Sequence, residues 1–214
     1  RVLFRSLAIL TLTITCLVAC KGTNPVWDAT ISLVTNGQPK FQLGFEYIEV
    51  DFINKKAWFA LGSRELDGLN THEYWYGSGR EMIHLVNGRI FEAYGFTQEI
   101  RATSTDFPSW NELTAYRQPL VWSRVRDLMP NYRYGLKEFV ISQRVQPNDL
   151  EKKLLTANDV IWVEEEIKSK SIDGLDWIYR EKFALYQGKV AFSFQCIAKD
   201  LCLEMKTLGV VVPQ

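Results

Sequence analysis

Met82-Ile83-His84-Leu85-Val86-Asn87-Gly88-Arg89-Ile90-Phe91-Glu92-Ala93-Tyr94 reads as two apolar runs either side of an Asn-Gly pair. Both residues of that pair tolerate positive φ, which a type I′ turn demands, so the stretch predicts a β-hairpin with a two-residue turn. Strand-like segments continue outward on both sides. Towards the N-terminus, His72–Tyr76 and Ala57–Leu61 are short aromatic or apolar runs, and Asn54-Lys55 is turn-like. In Phe45–Phe52, Ile48, Val50 and Phe52 alternate with Glu49 and Asp51, the period of a half-buried strand. Towards the C-terminus, residues 103–119 are punctuated and irregular. Leu120–Leu128 is open to two readings, with Leu120, Trp122 and Leu128 on a strand face or Val121, Val125 and Leu128 on a helix face. Tyr132–Val145 reads as a strand, and Pro147–Asp159 as a connector with one helical turn at Leu150–Leu155. Strands follow at Val160–Ile167, Leu175–Leu185, Val190–Cys196 and Leu201–Met205, with a tight connection at Gln187-Gly188.

Short turns between these last strands predict an antiparallel meander. No long stripe of helical period exists, which excludes an α/β fold. The expectation is an all-β protein: a mainly antiparallel β-sandwich or partly open barrel with minor helix. The irregular stretch near 103–130 suggests an N-terminal β-rich half at 29–130 and a C-terminal half at 131–214.

The chain has 214 residues, with 25 Lys+Arg against 25 Asp+Glu. Zero formal charge removes the basic footprint of a nucleic-acid binder. Hydrophobic residues at 47% and charged residues at 23% are globular composition. Two His and four Cys leave little material for a metal site. No P-loop or dinucleotide fingerprint is present, so no cofactor is expected.

Residues 1–19 read as a signal peptide. Arg1 and Arg5 are a positive start, and Leu7–Val18 is an uncharged, mostly apolar run. That run is too short to span a bilayer and right for a signal h-region. It ends in Leu17-Val18-Ala19-Cys20, which resembles a lipobox. Cleavage after Ala19 would make Cys20 the new first residue, its sulfur linked to a diacylglycerol; multiple chains anchor stably where one is marginal. Residues 20–28, with Gly22 and Pro25, suit a lipidated tether. Lys21 stands where Asp would retain an enterobacterial lipoprotein in the inner membrane, so the expected location is the periplasmic face of the outer membrane. Asp28–Val34 is open between a short helix and a strand.

Cys196 and Cys202 would then lie in a disulfide-permissive compartment. A three-residue loop at Ala198, Lys199 and Asp200 would set them opposite one another on a hairpin, where a bridge is conceivable. Two buried free thiols is the alternative.

The lipobox at Cys20 and the run ending Phe59-Ala60-Leu61-Gly62 belong to a wider pattern. Tyr74-Trp75-Tyr76-Gly77-Ser78 and Leu85-Val86-Asn87-Gly88-Arg89 follow, then Trp122-Ser123-Arg124. Trp162-Val163-Glu164-Glu165, Trp177, Gly188-Lys189-Val190 and an apolar close with Pro213 complete it. In this the chain resembles the group 4 capsule and exopolysaccharide-operon lipoproteins of the YjbF and GfcB (YmcC) type, over nearly the whole mature chain. The resemblance implies a periplasm-facing accessory lipoprotein encoded with polysaccharide-secreting machinery, partnered by glycan or secretion proteins, with no enzyme chemistry to transfer. An alternative is a periplasmic carrier or binding protein for lipid or lipoprotein, which would need an apolar cavity.

No catalytic constellation emerges. Glu164 and Glu166 would share a strand face, as a solvated edge. His72 and His84 are the available imidazoles for a triad, and His84 lies in an apolar strand. Gly77-Ser78-Gly79 lacks the spacing of a nucleophile elbow. The strongest binding signal is aromatic, because indole and phenol faces stack on sugar rings. Tyr74, Trp75 and Tyr76, with Asn87, Arg89 and Arg64 as polar partners, are the candidate glycan-binding residues.

Overall fold

The Asn87-Gly88 pair turns the chain between β4 (Met82–Val86) and β5 (Arg89–Tyr94), with φ of 51° and 80° at the two positions. The computed structural model describes residues 41–208, apart from 42, 54, 105, 117, 131, 156–158 and 171–175. The expected signal segment with Ala19, the expected lipidation site Cys20, the expected tether and Asp28–Val34 lie outside the described residues.

Ten further strands flank this hairpin: β1 (Tyr47–Phe52), β2 (Lys55–Asp67), β3 (Asn70–Gly77), β6 (Glu99–Ala102), β7 (Leu120–Met129), β8 (Arg133–Val145), β9 (Ile161–Lys170), β10 (Trp177–Tyr186), β11 (Lys189–Ala198) and β12 (Leu201–Leu208). Each pairs antiparallel with its sequence neighbour. β1 also pairs with β12, Tyr47 opposite Leu208 and Asp51 opposite Glu204, closing the sheet into a barrel. The all-β reading holds, and of the two expected forms the barrel is the one found, closed rather than partly open. Closure removes both free edges, which would otherwise invite pairing with other chains.

Leu120–Met129, ambiguous in sequence, is a strand. Its inward positions include Leu120, Trp122 and Leu128, but also Arg124 and Arg126, both buried. These arginines interrupt the apolar alternation that would have marked it. Two short helices sit in connections at the same end of the barrel. α1 (Trp110–Ala115) is capped by Ser109, and α2 (Asp149–Leu154) by Asn148. Each begins with a reciprocal capping box, to Glu112 and Glu151 respectively, satisfying two otherwise orphan N–H groups.

The outer wall carries ion pairs among exposed apolar positions such as Val121, Phe139 and Ile178. Lys56 meets Glu49 at 2.7 Å, and Arg180 meets Glu166 at 3.2 Å and Glu164 at 3.6 Å. The interior has two compartments. One is apolar, built on Val50, Phe59, Ile83 and Leu203, all fully buried. The other is ionic, between β7, β8, β9 and β10. The β4–β5 tip divides them. Gln195 on β11 reaches across the barrel, accepting from Ile90 N and donating to Gly88 O, both at 2.8 Å. Gly88 packs so close to β11 that a Cβ there would lie 2.5 Å from Val190 Cγ2. Glycine is thus required both by its φ and by the approach.

Candidate binding cavity at the barrel mouth

The barrel end that carries the β2–β3, β4–β5 and β10–β11 turns, both helices and the start of β1 holds a cavity of about 570 Å³, within the usual range for ligand pockets. Its floor is apolar, formed by Ile48, Trp75, Leu85 and Met205 of the core cluster. Its rim is ionic. The Arg64 guanidinium donates to both Glu46 oxygens at 2.7 and 2.8 Å and to Glu73 at 2.8 Å. The hydrogen bonds from Arg64 hold the Glu46 carboxyl below its ordinary range, and Glu46 in turn raises Arg64. The other Glu73 oxygen faces the Trp75 indole N–H at 3.4 Å. Thr71 and Ser193 add hydroxyls to the wall.

A bulge in β2 brings Arg64 to this rim. Leu61 pairs with Trp75, but after the register shift Arg64 pairs with Glu73. Gly62 sits at the bulge, where a Cβ would meet the Tyr76 ring at 2.4 Å.

The structure brings Trp75, Asn87 and Arg64 to one cavity. Trp75 points inward, whereas Tyr74 and Tyr76 lie on the opposite face of β3. Tyr74 stacks on His84 with ring centroids 4.2 Å apart. Asn87 is committed to the fold: its side chain accepts from Thr71 N and donates to Asn70 Oδ1, both at 2.8 Å. It thereby ties two hairpin tips together.

Arg89 lies behind the cavity, buried in the ionic compartment. Its guanidinium sits 3.6 Å from the Trp110 ring centroid and donates to Glu165 Oε1 at 2.8 and 3.2 Å. Ser142 also donates to that oxygen at 2.9 Å and accepts from the Trp122 indole at 2.8 Å. Trp110 donates to Asn87 O at 2.6 Å, so α1 is pinned over the mouth from two directions. Further in, Arg124 and Arg126 flank Glu138, with contacts of 2.7 and 2.8 Å, while Tyr179 donates to Glu138 at 2.7 Å. Burial pushes Glu138 up, but Arg126 and Arg124 outweigh it and leave the carboxyl below its ordinary value. At Glu181 burial prevails, and its pKa is raised. Burial also lifts the Tyr179 phenol well above its usual range.

Sequence reasoning missed Glu46, Glu73, Glu165 and Trp110. A readable signal existed for the last: Ser109 and Glu112 have capping-box spacing, which would have placed Trp110 at a helix start. Glu164 and Glu166 lie on the outer wall with Arg180, while Glu165 between them turns inward. His72 Nδ1 and His84 Nε2 are 3.0 Å apart on the outer face, and His84 Nδ1 is 3.4 Å from Glu92. Burial is the main reason that the pKa of His84 is lowered. Among the described residues no group of three or more His, Cys, Asp or Glu is placed to hold a metal ion.

At the opposite end, Cys196 and Cys202 face each other across β11–β12 and are joined, with Sγ–Sγ 2.02 Å. The pairing arises differently from the three-residue loop expected. A bulge at Ile197 lets Ala198 pair with Leu201 around a two-residue turn.

Among the curated proteins no sequence matches the chain significantly. Among solved structures, the crystal structure of the hypothetical lipoprotein YmcC from Escherichia coli K12 superposes with a TM-score of 0.63 at 16% identity, covering 79% of this chain and 89% of that one. At that identity the likeness shows a shared fold. The family model described as group 4 capsule polysaccharide lipoprotein GfcB, YjbF, matches residues 48–208, from the first strand of the barrel to the last, and the chain belongs to this YjbF family of capsule lipoproteins.

Proposed function

We propose that this chain is a lipid-anchored, non-catalytic accessory factor of capsule or exopolysaccharide assembly or export, held to the periplasmic face of the outer membrane by Cys20, and that it binds glycan in the cavity at the barrel mouth. The cavity carries the reading. An indole at the floor, hydroxyls on the wall and a rim of bonded Arg and Glu combine apolar contact with hydrogen bonding, as a sugar requires. The rim charges balance, Arg64 and Lys189 against Glu46 and Glu73, and a rim without net charge suits a neutral sugar better than an acidic one.

The test is calorimetric titration with oligosaccharides cut from the producing organism's own exopolysaccharide. Thr71→Phe, which narrows the mouth, should abolish binding while far-UV dichroism stays unchanged. Tyr76→Ala, on the outer face, should leave it intact. No heat with any fragment, or full binding by Thr71→Phe, would overturn the glycan assignment. The apolar floor of Ile48, Leu85 and Met205 favours a second reading, a carrier for lipid or lipoprotein. Displacement of a fluorescent fatty acid by phospholipid, with no response to glycan, would select it.

A further inference from the structure

Exposed large apolar side chains occur at both ends of the barrel, with Ile53, Tyr132 and Tyr134 at the far end. All five exposed leucines among the described residues, however, lie with Phe41 and Tyr116 at the mouth end. Leu43 precedes β1, Leu66 and Leu69 flank the β2–β3 tip, and Leu150 and Leu154 lie on α2. Leu43 and Leu69 are essentially fully exposed, at 101% and 99%. Single exposed leucines are ordinary, but several gathered on one surface mark an interaction site. The barrel wall is mixed: the exposed Val121, Phe139, Ile178 and Phe194 stand among Glu49, Lys56, Glu164, Glu166, Arg180 and Lys182, so it has no continuous apolar band. A lipid-spanning barrel would show one there.

The leucine-bearing end is also where the chain enters the barrel, because β1 begins there. Twenty residues separate Cys20 from Phe41, a span of at most ~70 Å. The far end lies a further strand length away, roughly 33 Å for ten residues. The tether joins the barrel at its leucine end, which is thus the nearer to an anchor at Cys20. Because ~70 Å exceeds the length of the barrel, the far end is within reach too, and it is the exposed leucines that select the docking end.

We infer that this end docks on the bilayer surface. Leu43, Leu66, Leu69, Leu150 and Leu154 enter the interfacial layer, and the cavity mouth between them opens towards the lipid. The inference rests on the anchoring reading of Cys20. It adds that the ligand is met at the membrane surface and not from the bulk periplasm.

The test uses the chain from Cys20 onward in vesicles of phosphatidylethanolamine and phosphatidylglycerol, with a benzophenone amino acid replacing one residue at a time. Positions 69 and 150 report the leucine end, and positions 53 and 132 the far end. Irradiation should give lipid adducts several-fold more abundant at 69 and 150. In a Leu66→Ser/Leu154→Ser background, which alters exposed side chains alone, the yield at 69 should drop several-fold with dichroism unchanged. Equal or reversed yields at the two ends, or no response to the serines, would overturn the inference. Mass spectrometry of Cys20 from envelopes tests the anchor separately. Should that sulfur be unmodified, coupling it to a maleimide lipid supplies the tether, and the adduct pattern still decides which end faces the bilayer.

Discussion

Arg89 and Glu165 illustrate what one buried charge demands. Glu165 is 0% exposed and Arg89 2%, and their pairing is supported by Ser142 and by the Trp110 ring. Removing one partner of such a pair costs about 3–5 kcal/mol, because the other stays buried and uncompensated, whereas replacing both with apolar groups is near neutral. Glu165→Leu should therefore lower the urea midpoint steeply at unchanged slope, and Arg89→Met added to it should restore most of the loss. If the two substitutions simply add, the pair is not coupled as described. Neither role was legible in sequence. Arg89, beside the Asn-Gly turn, read as a polar partner for a bound sugar, and Glu165 sat in an acidic run whose neighbours do face water.

His84 offers a second test at the same scale. Burial lowers its pKa from 6.5, the contact with Glu92 opposes this, and the neighbouring His72 reinforces it. The unfolded chain then takes up the proton before the folded one as pH drops. The contribution to stability is fully present above pH 6.5 and is lost as pH falls towards the depressed folded value. Moving from about pH 7.5 to about pH 5.5 should cost the wild type more stability than His84→Gln, as measured by denaturant midpoints. Equal losses would mean that the imidazole pair does not govern this window.

Among the elements, the β4–β5 hairpin was readable because Asn-Gly carries a local steric signal and its strands are mostly apolar. The four residues of β6 were too few to show alternation. The six of α1 are fewer than two turns, so they display no amphipathic stripe, and only the Ser109–Glu112 spacing marked them. That cap is open to measurement: Ser109→Ala should destabilise by about 1 kcal/mol and, because Trp110 begins this helix, should also loosen the cover over the mouth. Increased quenching of tryptophan fluorescence by iodide would register it. The cysteine hairpin behaves differently. Its closed loop is short, with a sequence separation of 6, so a bridge there adds only about 2 kcal/mol by loop-closure entropy. Cys196→Ala with Cys202→Ala should cost no more than that, and an unreduced peptide map should show the linked pair.

Closure of the whole molecule was the least legible feature, because the pairing of residues 47–51 with 204–208 has no local signature. The interior charges explain why closure is nonetheless strongly specified. Among the described residues the buried arginines are Arg89, Arg124 and Arg126, and the buried glutamates are Glu138, Glu165 and Glu181. All three cations precede residue 131, and all three anions follow it. Either half alone would expose two unpaired strand edges and hold three like charges without partners, a combination that neither burial nor hydration inside a partial sheet can stabilise. The charges neutralise only when β7 meets β8 and the β4–β5 tip meets β9. Unfolding should accordingly be one cooperative step, with tryptophan fluorescence and far-UV dichroism tracing the same denaturant curve. Segments 41–130 and 131–208 expressed apart should each lack the dichroism of a sheet. Two resolved transitions, or a folded isolated half, would show that the chain is built of two independent units and that the ionic compartment is incidental to its assembly.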